Sequence, residues 1–297
     1  QVIFNFGQYC AKDLGYKKII IVGQDYSYPW DQAAGFIRGF LENGGEKVER
    51  IWHPVEAVDF SSIMAKLMSM SKEYDAVLNN SGGAQVIGFF KQWKQFGLDK
   101  VYPQILGQAN VPIVSMLSEL GDSALGVYSS LHYYDGNPSE ANQKFRESFK
   151  KKYGHYPDVI ALQGYDAMHV AFTAMKAING QVDDPQKFID ALRQVQMSVD
   201  ESPRGPFYFD KYANPVQNIY IKKVVKKDGR LMNEAVKTYT DVSQFGPYAD
   251  MADKYMAAPA TTRDYPPGDK ASYFMEIEKY FGKDYVEKIK KNNGWVD

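Results

Sequence analysis

Cysteine is almost absent: the 297 residues contain one, Cys10. A single thiol closes no intrachain disulfide and builds no structural zinc site, and so sparse a usage fits either the cytosol or a bacterial periplasm. Net charge is missing as well. Thirty-five Lys and Arg stand against 36 Asp and Glu, a balance of −1. No global basic field recommends a nucleic acid or an anionic membrane as partner. The longest apolar runs are only a few residues, as in Ile19-Ile20-Ile21-Val22, so no membrane insertion is expected. The chain opens at Gln1 without a basic n-region and an apolar h-region, so any signal peptide is expected to be already gone or never to have existed. Chemistry-bearing motifs are equally scarce. Neither G-x-G-x-x-G nor G-x-x-x-x-G-K-[ST] occurs, and Ser81 in Asn79-Asn80-Ser81-Gly82-Gly83 lacks the leading glycine of a nucleophile elbow. The four histidines, His53, His132, His155 and His169, show no metal-ligand spacing. No cofactor, no metal and no enzymatic activity is expected.

What is present is a globular mix, 44% hydrophobic and 24% charged, in a length that suits about two domains at roughly 150 residues each. The first 131 residues alternate short β-branched runs with amphipathic stretches. Lys18 to Val22 reads as a buried strand ending in Gly23. Ala34, Ile37, Phe40 and Leu41 then recur at helical spacing, from near Asp31 to a stop at Asn43-Gly44-Gly45. Strands follow at Val48 to His53, Asp75 to Asn79, Pro103 to Gly107 and Gly126 to Leu131. Between them lie a helix capped by Asp59, one carrying Val86, Ile87 and Phe90, and a short one over about Pro112 to Leu120. Strands joined by helices at this spacing predict an α/β fold with a doubly wound parallel sheet.

From about 132 to 216 the pattern changes. Phe145, Phe149 and Tyr153 share one helix. A longer one, about Asp158 to Ile178, has Leu162, Tyr165, Met168, Phe172 and Met175 on its expected apolar side, and Pro185 opens a third. Phe207 to Asp210 and Asn218 to Val225 read as strands, the latter turning at Lys227-Asp228-Gly229. This block supplies helices without a run of parallel strands for them to cover. The last stretch, 241 to 297, is rich in Tyr, Pro, Ala and Asp. It ends in an amphipathic segment with Phe274, Ile277, Tyr280 and Phe281 that, with mixed charges, is expected to dock on the core.

In an open parallel sheet ligands bind outside the carboxyl ends of the strands. There this sequence sets Gln24-Asp25-Tyr26-Ser27-Tyr28-Pro29-Trp30, then Asn79-Asn80-Ser81-Gly82-Gly83, then Gln108-Ala109-Asn110. Hydrogen-bonding groups and stacking rings without a strong nucleophile–base pair suit holding a small polar or aromatic molecule more than transforming it.

The run Gly15-Tyr16-Lys17-Lys18-Ile19-Ile20-Ile21-Val22 followed by Asp25-Tyr26-Ser27-Tyr28 resembles type I periplasmic solute-binding proteins, nearest to the leucine/isoleucine/valine-binding family of ABC transporters. Asp59-Phe60-Ser61, Tyr74-Asp75-Ala76-Val77, Gly164-Tyr165-Asp166-Ala167 and Arg204-Gly205-Pro206-Phe207-Tyr208-Phe209-Asp210 add to it. Asp241 to Phe245 and Arg263 to Pro266 look like the tail of a subgroup. The resemblance implies two α/β lobes joined by a hinge, with ligand held between them. Laid on that plan, 1–130 and 217–240 form the second lobe, 131–216 the remainder of the first, and 241–297 a tail. The family's opening segment has no counterpart, so the sequence reads as a fragment or as one of two chains. The implied partners are a small-molecule ligand and an ABC permease. The implied location is periplasmic, or lipid-anchored outside a Gram-positive cell. The alternative is a ligand-sensing domain of a receptor or regulator. The expected ligand-binding residues are Asp25, Tyr26, Tyr28, Trp30, Asn80, Ser81, Gln108, Asn110, Leu162 and Gln163. Of these, Tyr28, the turn at Asn80-Ser81-Gly82, and Leu162 with Gln163 match cleft positions of the family. Ala109 falls where amino-acid binders place the acid that holds the ammonium group. A buried ammonium without a counter-charge is costly, which favours an organic acid or aromatic compound over a branched-chain amino acid.

Overall fold

A computed structural model describes residues 1–295; the last two positions of the tail lie outside the described residues. The parallel half contains α1 (Val2–Lys12), β1 (Lys18–Gln24), α2 (Ser27–Leu41), β2 (Lys47–His53), α3 (Ser61–Met70), β3 (Ala76–Asn80), α4 (Gln85–Gln95), β4 (Ile105–Gly107), α5 (Val114–Leu120) and β5 (Tyr128–Leu131). Strands β1 to β5 are parallel in the order β2-β1-β3-β4-β5. Helices α1 and α2 cover one face and α3 to α5 the other, the doubly wound arrangement the sequence predicts. Buried on both sides, β1 needs apolar residues throughout. Ile19 and Ile21 enter the core under α1 and α2, while Ile20 and Val22 enter the core under α3 to α5. The first two helices pack backbone to backbone: a Cβ at Gly39 would lie 1.9 Å from the Phe4 carbonyl oxygen.

Helix α2 begins four residues before Asp31, its expected start. Pro29 does not stop it, because a first-turn proline gives up an N–H that has no helical partner anyway. Tyr28 and Trp30 therefore sit on a helix and not in a loop.

The remaining elements are α6 (Glu140–Tyr153), α7 (Val159–Ala177), α8 (Pro185–Arg193), β6 (Gln196–Met197), β7 (Phe207–Phe209), β8 (Pro215–Lys227), β9 (Arg230–Val242), α9 (Ala252–Ala257), α10 (Lys270–Phe281) and α11 (Lys283–Asn292). Strand β8 joins the parallel half antiparallel to β5, carries β7 and β6 beyond it, and pairs with β9. The β8–β9 turn holds Asp228 at φ 51° and Gly229 at φ 73°, the two positive values a tight hairpin requires.

Helix α7 departs from its expected orientation. Its buried stripe is Val159, Leu162, Asp166, Val170 and Ala174. The larger apolar residues Tyr165, Met168 and Phe172 point outward, 45%, 51% and 52% exposed. The small stripe fits closely against the ends of the strands and against β6 and β7. Asp166 can be buried there because Arg204 Nε lies 3.1 Å away and the Ser202 hydroxyl donates to it.

The tail docks on the core as expected, through Tyr273, Phe274, Ile277 and Phe281 against α1 and α2. Its polar latch was not legible beforehand. The Glu42 carboxylate, sealed at the end of α2, accepts hydrogen bonds from the hydroxyls of Tyr248, Tyr273 and Tyr285. The tail also closes the free edge of β2, where Val48 N donates to Gly268 O at 2.7 Å. Among the described residues no helix is long and apolar enough to cross a membrane.

Candidate functional site

Strand order reverses between β1 and β3, and at such a switch point the loops on either side part to leave a crevice. Gln24 ends β1 and Asn80 ends β3, so both flank that point. Gly82 N donates to Gln24 Oε1 at 2.9 Å, and Gln24 Nε2 to Val55 O at 2.9 Å. This buried amide locks the turns after β1, β2 and β3 to one another.

Above it five of the expected residues converge: Tyr26, Tyr28, Ser81, Gln108 and Asn110. Tyr28 OH donates to Gln108 Oε1 at 3.3 Å and accepts from Asn110 Nδ2 at 3.2 Å. Gln108 Oε1 also accepts from Asn110 N at 2.8 Å, and Gln108 Nε2 donates to the Ser81 carbonyl at 3.3 Å. The Tyr26 ring stacks on Tyr28 with centroids 6.4 Å apart, and both rings stay partly open to solvent. Partial burial raises the Tyr28 phenol above its ordinary value, so the hydroxyl stays protonated as a donor at neutral pH. The result is a ring pair beside a fixed set of amides.

The other expected residues lie elsewhere. Trp30, two residues after Tyr28 on α2, points away from it, as helical spacing demands. Its Nε1 donates to Asp25 Oδ1 at 3.1 Å, and Arg263 of the tail lies 3.4 Å from the same oxygen. Asn80 turns under α2, donating to Pro29 O at 2.7 Å. Leu162 is sealed in an apolar cluster with Ala109, Leu131 and Val159, while Gln163 is exposed on α7.

Sequence reasoning missed His53. Its Nε2 lies 2.8 Å from Ser81 Oγ and its Nδ1 2.8 Å from Pro54 O. A carbonyl can only accept, so Nδ1 carries the proton and Nε2 accepts from the serine hydroxyl. Burial lowers the His53 pKa, which keeps the ring neutral. A Ser81–His53 pair therefore exists that the sequence reading did not name, beside its expectation of no strong nucleophile–base pair. It is buried, and the outer ring nitrogen faces a carbonyl where a triad would place a carboxylate. The signal was available, since His53 ends a parallel strand like the residues that were picked. Among the described residues no group of three or more His, Cys, Asp and Glu is placed to hold a metal ion.

Known proteins match this chain in sequence and fold. The sequence profile described as "Periplasmic binding protein" matches residues 1–230. A protein of Brucella melitensis called Leu/Ile/Val-binding protein homolog 6 is 33% identical over 236 residues, 77% of this chain and 58% of its own length. An ABC transporter solute-binding protein of Rhodopseudomonas palustris BisB5, solved with 3,4-dihydroxybenzoic acid, is 33% identical with a TM-score of 0.75. The match covers 83% of this chain and 66% of that one. A second R. palustris solute-binding protein, solved with benzoate, is 27% identical with a TM-score of 0.69, over 80% of this chain and 65% of that one. The chain thus spans less than two thirds of the length of each.

Proposed function

As this chain belongs to the periplasmic binding protein family, we propose that it captures a small aromatic carboxylic acid, without transforming it, as part of the solute-binding component of an ABC transporter. The observation that carries this reading is the Tyr26–Tyr28 ring pair, open beside Gln108 and Asn110. An aromatic ring stacks on such a pair, and oriented stacking adds about 0.5–1.5 kcal/mol beyond area burial. The loop Gln108-Ala109-Asn110 offers amides and no carboxylate, and Ala109 lies in an apolar cluster. That setting penalises an ammonium group. Relatives solved with 3,4-dihydroxybenzoic acid and benzoate support the same class.

In this reading 1–130 and 217–240 form the second lobe, and 131–216 the remainder of the first. The outward side of α7, with the groove of about 410 Å³ between Phe145, Phe149, Tyr153, Ala161 and Tyr165, takes the rest of the first lobe's sheet. The length of the relatives that this chain does not span leaves room for such a sheet. Gln163 then faces the cleft from the opposite side. The partner is an ABC permease and the location extracytoplasmic. Titration calorimetry on the complete natural polypeptide tests the reading with benzoate, 4-hydroxybenzoate, 3,4-dihydroxybenzoate and leucine. Saturable heats are expected from the aromatic acids, each recovered unchanged. Binding of leucine alone, or of none of the four, sinks it.

A further inference from the structure

Four polar or small residues form a row across the sheet, directly under the loop that carries Gln108 and Asn110. Asn79 pairs with Gly107, Leu106 with Tyr128, and Ser129 with Lys222, which sets Asn79, Gly107, Ser129 and Lys222 level on β3, β4, β5 and β8. All four face the side of the sheet covered by α3 to α5, since Val77, Ile105, Val127 and Val224, two residues along each strand, belong to that core. The loop rests on this row: a Cβ at Gly107 would lie 1.9 Å from the Val111 carbonyl oxygen. Lys222 Nζ reaches the next carbonyl, Pro112 O, at 3.3 Å. In the same row Asn79 Nδ2 and Ser129 Oγ are buried without a hydrogen-bond partner. Lys222 is fully buried, an exceptional place for a lysine.

We propose that Lys222 is a positioning residue for the ligand site, its ammonium tying the crossing strand β8 to the 108–112 loop and so fixing Gln108 and Asn110 against Tyr28. The proposal rests on the reading of that loop as ligand-contacting. A buried ammonium with one carbonyl partner is a poor way to gain stability; an apolar side chain of the same length does better. Its value lies in holding the loop. Burial drives Lys222 down to about 8, against the attraction of Asp135, whose carboxylate accepts from Asn233 N and Nδ2. Of the other charged groups nearby, burial together with Arg204 and Lys222 holds His132 neutral. At about 8, Lys222 changes charge within the interval from pH 7 to 9.5.

The test is Lys222→Met in the full chain, read three ways. Thermal midpoint is expected to be unchanged or raised. Without ligand, amide exchange at Asn110 and Val111, whose N–H groups bond within the loop, is expected to speed up about tenfold while β1 and β3 stay protected. Benzoate, which has no ionisation of its own in this range, is expected to bind about tenfold more weakly to the variant. Its affinity for the wild type is expected to fall between pH 7 and 9.5, and for Lys222→Met to stay flat. Unchanged loop exchange, or faster exchange with unchanged benzoate affinity, overturns the proposal. If the wild type binds no benzoate, the ligand reading fails and the exchange result alone decides on the anchor. If Lys222→Met does not fold, the wild-type pH series decides: a flat profile overturns the proposal.

Discussion

Helices α2 and α7 look alike as sequences. Each has aromatic and aliphatic residues at helical spacing, and each invites the inference that its larger apolar residues are covered. On α2 they are: Phe36, Ile37, Phe40 and Leu41 are fully buried, between the sheet, α1 and the tail. On α7 they are not, and Ile160, Tyr165, Met168 and Phe172 face outward. The difference teaches that periodicity reports a helix and an apolar stripe, while the partner decides which stripe is buried. Where partners exist on one side only, α7 buries the stripe whose residues are small enough to approach them. The larger stripe stays as the kind of exposed apolar patch that marks an interaction surface.

The largest effect that sharpens this contrast is in truncation. Phe40→Ala empties a fully buried site stacked on Phe36 and is expected to cost about 3–5 kcal/mol of unfolding free energy in urea titration. Phe172→Ala on α7 is expected to stay within about 0.5 kcal/mol of wild type. A comparable loss at both positions would mean that the α7 face is already covered in solution.

Next comes the cover itself. Glu42→Ala leaves the hydroxyls of Tyr248, Tyr273 and Tyr285 without their shared acceptor, at about 1–3 kcal/mol for a buried polar group left unpaired. The expected loss is about 2–4 kcal/mol, accompanied by early protease cleavage of the 252–295 segment. If the tail stays resistant, the aromatic packing holds it alone and the latch is incidental.

The seam between the two regions is expected to respond to pH. His132 follows β5 and is buried near Arg204 and Lys222; burial first, then the two cations, lower it to about 3. A histidine depressed in the folded state binds fewer protons there than when unfolded, so stability is complete above about 6.5 and falls with pH below it, down to the folded value. Between pH 6.5 and 5 the loss is about 2 kcal/mol, at about 1.4 kcal/mol per unit. His132→Phe is expected to flatten the chemical-denaturation profile over that interval; an unaltered slope would assign it to other groups.

The parallel half was legible because its central strand is apolar on both faces and glycines follow helices such as α4 and α5, signals local to the chain. The positions of Tyr28 and Gln108 were legible for the same reason: strand ends announce themselves. What escaped depended on distant residues. The start of α2 was set near Asp31, four residues late, because Tyr26 to Trp30 were grouped with the end of β1. The Ser81–His53 pair joins the ends of β3 and β2, and the Asp25–Arg263 pair joins the first turn to the tail. No periodicity records either one. The row under the 108–112 loop is visible only once register is known, since Asn79 and Lys222 are 143 positions apart.

The smallest effect compares two rings on one helix. Tyr28 and Trp30 were both expected to contact ligand, yet i and i+2 on α2 send them to opposite sides. Tyr28 goes to the amides of Gln108 and Asn110, Trp30 to Asp25 and Arg263. Tyr28→Phe keeps the ring and removes one hydroxyl with two partners. At about 0.5–1.5 kcal/mol for a net hydrogen bond, it is expected to weaken benzoate binding about threefold, the range spanning roughly twofold to tenfold. Trp30→Phe loses only the half-exposed contact to Asp25 and is expected to leave the affinity unchanged. Calorimetric titration of both variants, with circular dichroism to confirm folding, reads the difference. The reverse order, a loss at Trp30 and none at Tyr28, would move the ligand to the other side of α2. The Arg263 strap would then form its wall in place of the Gln108–Asn110 amides.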